Sequence, residues 1–303
     1  MQSLFQNERG LRAGWRLLVY IVFVFFLTVI SGAVLRELVR PVRGVFSPGY
    51  MAFMEGWSAC VVFGAAVIMS RFERRPFGAY GLPLSPVFAK RFMQGAMLGI
   101  AEASALIGLI AALGGYSFGS LAAHGAVALR WGVFWALFFI LVGLFEEFTF
   151  RGYTQYTLSD GIGFWPAATA LSLLFGAVHL RNRGEDLAGA CAVFVIGMVF
   201  AFSLKRTGSL WFAVGMHAGF DFGETFLFSV PNSGAVFTGH LSNASLSGPA
   251  WLTGGSVGPE ASVFSFATMS VVALVIHFWF PPQPKPQTII SEMPATGPIN
   301  GAP

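Results

Sequence analysis

Charge is what this chain has least of. Only 11% of its 303 residues are Asp, Glu, Lys or Arg, against 55% hydrophobic; a soluble domain carries about 25% charged residues. A deficit of that size excludes a fold whose whole surface faces water. Cysteine is equally scarce. Cys60 and Cys191 stand apart in apolar segments, which excludes a disulfide framework and a zinc knuckle and leaves packing as their expected role. No internal repeat is present. The basic excess, a net charge of +4 with pI near 9.3, does not form a phosphate-binding face. Its Lys and Arg residues sit at the ends of apolar blocks, where topology signals lie, and nucleic acid is excluded as a partner.

What the chain does have is apolar runs long enough to cross a hydrocarbon core, which takes roughly 20 helical residues. Spans are predicted at about 17–35, 51–70, 92–114, 131–157, 163–180, 187–204, 208–229 and 261–280. The expected architecture is all-α: a polytopic membrane protein in which a bundle of about eight transmembrane helices fills residues 1–280. A disordered, Pro-rich cytoplasmic tail is expected over 281–303. The first span follows Arg9, Arg12 and Arg16 and reads as a retained anchor, not a cleaved signal, because its apolar run is long and no soluble domain follows it. With the N-terminus inside, six basic residues (Arg36, Arg40, Arg43, Arg130, Arg181 and Arg183) fall outside, and the other twelve of 18 lie in the cytoplasm. That bias favours both termini in the cytoplasm of an inner or cell membrane.

Three stretches complete the layout. "RFERRPFGAYGLPLSPVFAKR", broken by Pro76, Pro83 and Pro86, is expected along the cytoplasmic interface. "GAMLG" at 95–99 matches the small-xxx-small pattern of helix pairs that approach closely. Pro259 and Glu260 read as the first turn of the last helix.

Ionisable groups inside spans are costly and usually face the bundle interior or a wet cavity. "LFEEFTFRGY" at 144–153 sets Glu146, Glu147 and Arg151 in an apolar neighbourhood. Glu147 and Arg151 are four apart with the acid first, the favourable order for an i,i+4 pair. Glu146 is rotated by about 100° from Glu147, so it has no partner on that stripe and points elsewhere, into the bundle. His217, Asp221 and Glu224 share one face at i, i+4 and i+7. His179 ends the fifth span. Glu55 and Glu102, each alone on its span, are assigned to packing or to a rim; His277 is expected to reach the interface, and His124 and His240 fall in loops.

Carboxylates and imidazoles on three neighbouring spans are what a site needs to activate water, and they could equally hold a metal with an open position. "EEFTFR" at 146–151 resembles the EExxxR motif of the CPBP family of intramembrane proteases, relatives of the type II CAAX prenyl endopeptidases. "FGAVH" at 175–179 resembles that family's FxxxH, and "HAGFD" at 217–221 its HxxxN/D, in the family's order. Asp221 stands where many relatives have Asn. The resemblance implies a conical intramembrane cavity and hydrolysis of a peptide bond in a membrane-anchored or lipidated substrate, with the bilayer as the other partner. It implies Glu146 as general base, His179 positioning the water, and His217 and Asp221 binding the scissile carbonyl, with Glu147 and Arg151 in support. Zinc held by Glu146, His179 and His217 is one form of the site and a metal-free, glutamate-driven form the other; HExxH is lacking. Two other classes stay open: an inactive scaffold or immunity-type protein, and a transporter. Glu146 and His179 can meet only if the fourth helix continues through "GYTQYTL" to about residue 158, with Arg151 inside the bundle.

Overall fold

The apolar runs become helices. The computed structural model describes residues 5–7, 10–38 and 47–282. Arg9, Arg40, Arg43 and Lys285, counted above as topology signals, and the tail from 283 lie outside the described residues. The helices are α1 (Ala13–Leu38), α2 (Pro48–Phe72), α3 (Phe88–Ala112), α4 (Gly125–Arg151), α5 (Tyr153–Ile162), α6 (Phe164–His179), α7 (Leu187–Thr207), α8 (Leu210–Phe222) and α9 (Val263–Trp279). α1, α2, α3, the α4–α5 pair and α7 are long and apolar enough to cross a membrane, while α6 and α9 are shorter apolar helices. The chain is an all-α, multi-pass integral membrane protein.

α8 falls within the expected seventh span. Its 13 residues run without a break into a π-helical turn over Gly223–Leu227, so the helical stretch fills most of that span. It is the buried axis of the bundle, packed by α3, α4 and α7, with Leu210, Ala213, Val214 and Met216 almost fully enclosed.

The approach of α3 to α8 is set by glycine. A Cβ on Gly95 would meet the Phe212 carbonyl and one on Gly99 the Met216 carbonyl; from the other side, Gly215 faces Phe92 O and Gly219 faces Ala96 O. "GAMLG" thus packs against a second small-xxx-small pair, Gly215 and Gly219, which brackets His217.

The fourth helix does continue, with an interruption. Gly152 leaves helical geometry (φ −81°, ψ −119°) while its N–H still donates to Phe148 O at 3.0 Å, and α5 resumes at Tyr153. A Cβ at Gly152 would collide with Phe148. Arg151 is 1% exposed and lies inside the bundle.

At one end Glu73 ties three helices together. It accepts from Arg16 Nη1 at 3.2 Å, from Tyr80 Oη at 3.3 Å and from Tyr153 Oη, while Arg16 Nη2 also reaches Asp160 at 2.7 Å. The Pro-broken stretch is more embedded than an interfacial segment: Phe77–Tyr80 forms a 3-10 turn, and Tyr80 and Leu82 are buried. The opposite end is closed by residues 228–262, whose strand Ser245–Leu246 pairs antiparallel with Tyr116–Ser117. Pro259–Ala261 is not the first turn of the last helix but a separate 3-10 turn; α9 begins at Val263, capped by the Ser262 hydroxyl, which accepts from Phe264 N–H at 3.2 Å. Cys60 and Cys191 are exposed on the outside of the bundle, so neither packs in the core as expected. His277 is held by Arg206, whose Nη2 lies 3.0 Å from Nδ1 and 2.6 Å from the backbone oxygen.

Candidate active site

α4 delivers two adjacent glutamates, and α8 brings one imidazole to both. His217 Nδ1 lies 3.0 Å from Glu147 Oε1; a carboxylate only accepts, so Nδ1 carries the proton of that bond. The other nitrogen, Nε2, lies 3.8 Å from Glu146 Oε2 and 3.5 Å from Asp221 Oδ2. The rotation of about 100° between successive helical residues is what lets the two glutamates approach the ring from different sides. Glu146 thus faces His217 across the bundle, at a distance too long for a direct hydrogen bond.

Glu147 also accepts from Arg151 Nη1 at 3.2 Å, and both side chains are completely shielded. Arg151 is boxed by aromatic faces: its guanidinium sits 4.4 Å from the Phe175 ring centroid and 5.6 Å from those of Phe150 and Phe200. The same two rings hold the two histidines. Phe200 stacks on His217 at 5.3 Å with 12° between planes, and Phe175 meets His179 edge-on at 4.6 Å. Cation–π contacts in such a desolvated setting are worth about 2 kcal/mol each, so Arg151 is fixed without solvent.

His179 stands on another wall of the same cavity. Its Nδ1 donates to Phe175 O at 2.8 Å, which leaves Nε2 free. The cavity is lined by His179, His217 and Asp221 together with Phe175, Phe200 and Met216, and Glu146 is not among its walls. No hydrogen bond or ion pair joins His179 to Glu146 among the described residues. Nor do any three His, Cys, Asp or Glu side chains, again among the described residues, converge as a metal requires. Glu146, His179 and His217 do not come together as such a group: Glu146 lies against His217, and neither is paired with His179.

Three acids outside the expected site set also border this region. Glu102 on α3 and Glu260 line the cavity, and Glu224 is fully buried in the π-helical turn. Burial raises the Glu260 carboxyl above the ordinary range, opposed by its bonds to Glu224 and the Ser233 amide. The usable signal for Glu102 was its isolation, since it is the one charge between Arg91 and the end of α3, and such a residue normally faces a cavity. Glu260 carried none, because Pro-Glu before an apolar run reads equally well as a helix start. Glu55 lies near Glu146 with Oε2 enclosed and lacking a hydrogen-bond partner.

No curated protein compared with the chain matches it. The family model of Rce1-like type II CAAX prenyl endopeptidases matches residues 128–223, the stretch from α4 through α8 that carries Glu146, Glu147, Arg151, His179, His217 and Asp221. That stretch holds all three motifs, and over it the chain is similar to the Rce1-like type II CAAX prenyl endopeptidases.

Proposed function

We propose that the protein is an intramembrane endopeptidase that hydrolyses a peptide bond of a membrane-associated protein through a water activated by Glu146. The observation that carries this reading is the division of one imidazole between two adjacent glutamates. Glu147, neutralised by Arg151, anchors His217 through Nδ1. Glu146, with a quarter of its side chain accessible, is left as the unanchored carboxylate. The gaps from Nε2 to Glu146 and Asp221, 3.8 and 3.5 Å, are too long for direct hydrogen bonds and suit an inserted water or carbonyl oxygen.

Glu146 takes a proton from water, and the hydroxide adds to the scissile carbonyl carbon as the C=O electron pair moves to oxygen. His217 Nε2–H and a protonated Asp221 donate to that oxyanion, and a carboxylic acid in a low-dielectric site can keep its proton. Collapse expels the amine, to which Glu146 returns the proton. His179 Nε2 orients the water from the facing wall. No step passes through a metal. Both termini lie in the cytoplasm of a cell or inner membrane, as the basic residues indicate. A lipidated C-terminus and a membrane-tethered peptide are both substrates of the class this site would accept.

The test is cleavage of a membrane-anchored peptide by purified wild type and Glu146→Gln, each with and without chelator. General-base loss should lower kcat by about 10²–10⁴ at unchanged thermal stability. Equal cleavage by both proteins ends the role of Glu146 and leaves the scaffold reading. Loss with chelator that zinc restores overturns the metal-free form.

A further inference from the structure

A second depression lies on the outside of the bundle, between α3 and α9. It is lined by one stripe of each helix: Leu98, Ala101, Ala105 and Leu109 on α3, and Ala267 and Val271 on α9 are among its walls. These residues are small or aliphatic, and the groove's polar members are Glu102 and Thr268. Glu102 also lines the candidate active-site cavity. It is 3% exposed, and its Oε2 is enclosed without a hydrogen-bond partner. One carboxyl therefore forms the partition between a groove that faces lipid and the cavity that holds His217 and Asp221.

We propose that the α3–α9 groove is the lateral entrance for an extended, apolar polypeptide segment of the substrate, and that Glu102 accepts a backbone N–H of that segment where it passes from lipid to the cavity. This rests on the endopeptidase reading. A peptide bond inside a helix is closed to attack, so the segment must be extended, and in hydrocarbon each freed N–H costs several kcal/mol unless a protein group receives it. An enclosed acceptor with no partner at the boundary meets that need. The dimensions agree: Leu98 to Leu109 is roughly 16 Å of helix, the length of about five extended residues. A helical segment of about 10 Å diameter does not enter a seam between two packed helices. A hydrocarbon tail would fill the groove but has no donor for Glu102, which is why a polypeptide is the occupant.

The experiment uses the full chain in phosphatidylcholine vesicles and one fluorogenic reporter peptide in three forms: unanchored, joined to an apolar polypeptide anchor, and joined to a palmitoyl chain. Gly108→Leu projects into the groove, because a Cβ there meets nothing within 4 Å and residue 108 lines it. It should lower the ratio of kcat/KM for the polypeptide-anchored over the unanchored reporter by about tenfold or more, the effect of a methylene or two in an apolar site. Glu102→Leu should do the same through KM, and Glu102→Gln, which keeps an acceptor, should restore the ratio. Leu137→Trp, on the exposed face of α4, should leave it unchanged. An unchanged ratio in Gly108→Leu and Glu102→Leu overturns the proposal, as does an equal loss for the palmitoyl reporter with no effect at Glu102. If wild type and Glu146→Gln cleave all three reporters alike, the endopeptidase reading has failed instead. The groove is then judged by a benzoylphenylalanine cross-linker at position 108: capture of the polypeptide anchor in preference to the palmitoyl chain supports it, and equal or no capture overturns it.

Discussion

A single methyl group at residue 99 should separate the site from its scaffold. In Gly99→Ala the new Cβ would stand against the Met216 carbonyl and the Phe220 amide, backbone atoms that cannot rotate away. Ordinary contact requires about 3.4 Å or more, so α3 and α8 must part by roughly 1 Å. Overpacking of this kind costs about 1–3 kcal/mol, against the roughly 1 kcal/mol that alanine gains over glycine by helix propensity. The net change is therefore a loss of about 0–2 kcal/mol. The larger consequence lies in the site: Met216 precedes His217, and a shift of about 1 Å can cost on the order of 10²-fold in rate. Gly219→Ala, facing Ala96 O, should behave alike. Gly108→Ala, with the same chemistry on the same helix but open space around it, should keep or slightly raise stability. Thermal unfolding followed by tryptophan fluorescence, alongside peptide cleavage, reads both effects. If Gly99→Ala and Gly108→Ala have the same midpoint and rate, close glycine contact does not set the position of α8.

Other perturbations separate the remaining parts. Arg151→Met leaves Glu147 buried without its cation and should cost about 3–5 kcal/mol; adding Glu147→Gln should recover much of it, and denaturation of the double variant checks this. Glu185, in the loop between α6 and α7, has its carboxyl pushed up to about 7 by burial and by the charges of Glu260 and Asp186. A folded pKa above the ordinary value means that its stabilising contribution is full below about 4.5 and is lost as pH rises through 7. Glu185→Gln should remove that pH dependence and raise stability above pH 7 by about 1 kcal/mol, a small figure because solvent screens the group. Melting curves at pH 5 and pH 8 decide it: an equal effect at both values contradicts the assignment. Glu73→Gln weakens the tie of Arg16, Tyr80 and Tyr153 and should cost about 1–3 kcal/mol, visible as a lower melting midpoint at unchanged KM.

The positions of the helices were legible because lipid imposes a simple rule: a span needs a long run without charge, and the runs around α1 to α4 and α7 obey it. The residues of the candidate site stood out for the complementary reason, since Glu146, Glu147, Arg151, His217 and Asp221 are anomalies within those runs. The pattern failed where protein replaces lipid as the surroundings. α8 touches protein on nearly every side, so hydrophobicity continues past its end at Phe222 and says nothing of the π-helical turn. Gly152 could have been a packing glycine or a break; only the Phe148 side chain beside it decides. Glu260 turns inward because Ser262, not Pro259, starts α9. In residues 259–262 several good caps compete, and local chemistry cannot rank them.

The boundary of the family match divides the cavity in a way that bears on selectivity. Residues 128–223 contribute His179, His217 and Asp221 to its walls, with Glu146 beside His217. Glu102, Ser233, Glu260 and Met269 line the same cavity from outside that stretch. Reaction chemistry needs fixed charges at fixed distances, and α4, α6 and α8 carry them. Substrate choice needs walls that can differ between proteins without moving those charges, and α3, α9 and the 228–262 segment supply those. It follows that exchanging wall residues should change which substrates are cut, read as KM, while kcat for any substrate that still reaches His217 stays within a few-fold. A wall exchange such as Met269→Ala that instead abolishes kcat for every reporter, with the fold intact, would show that wall and chemistry are not separable.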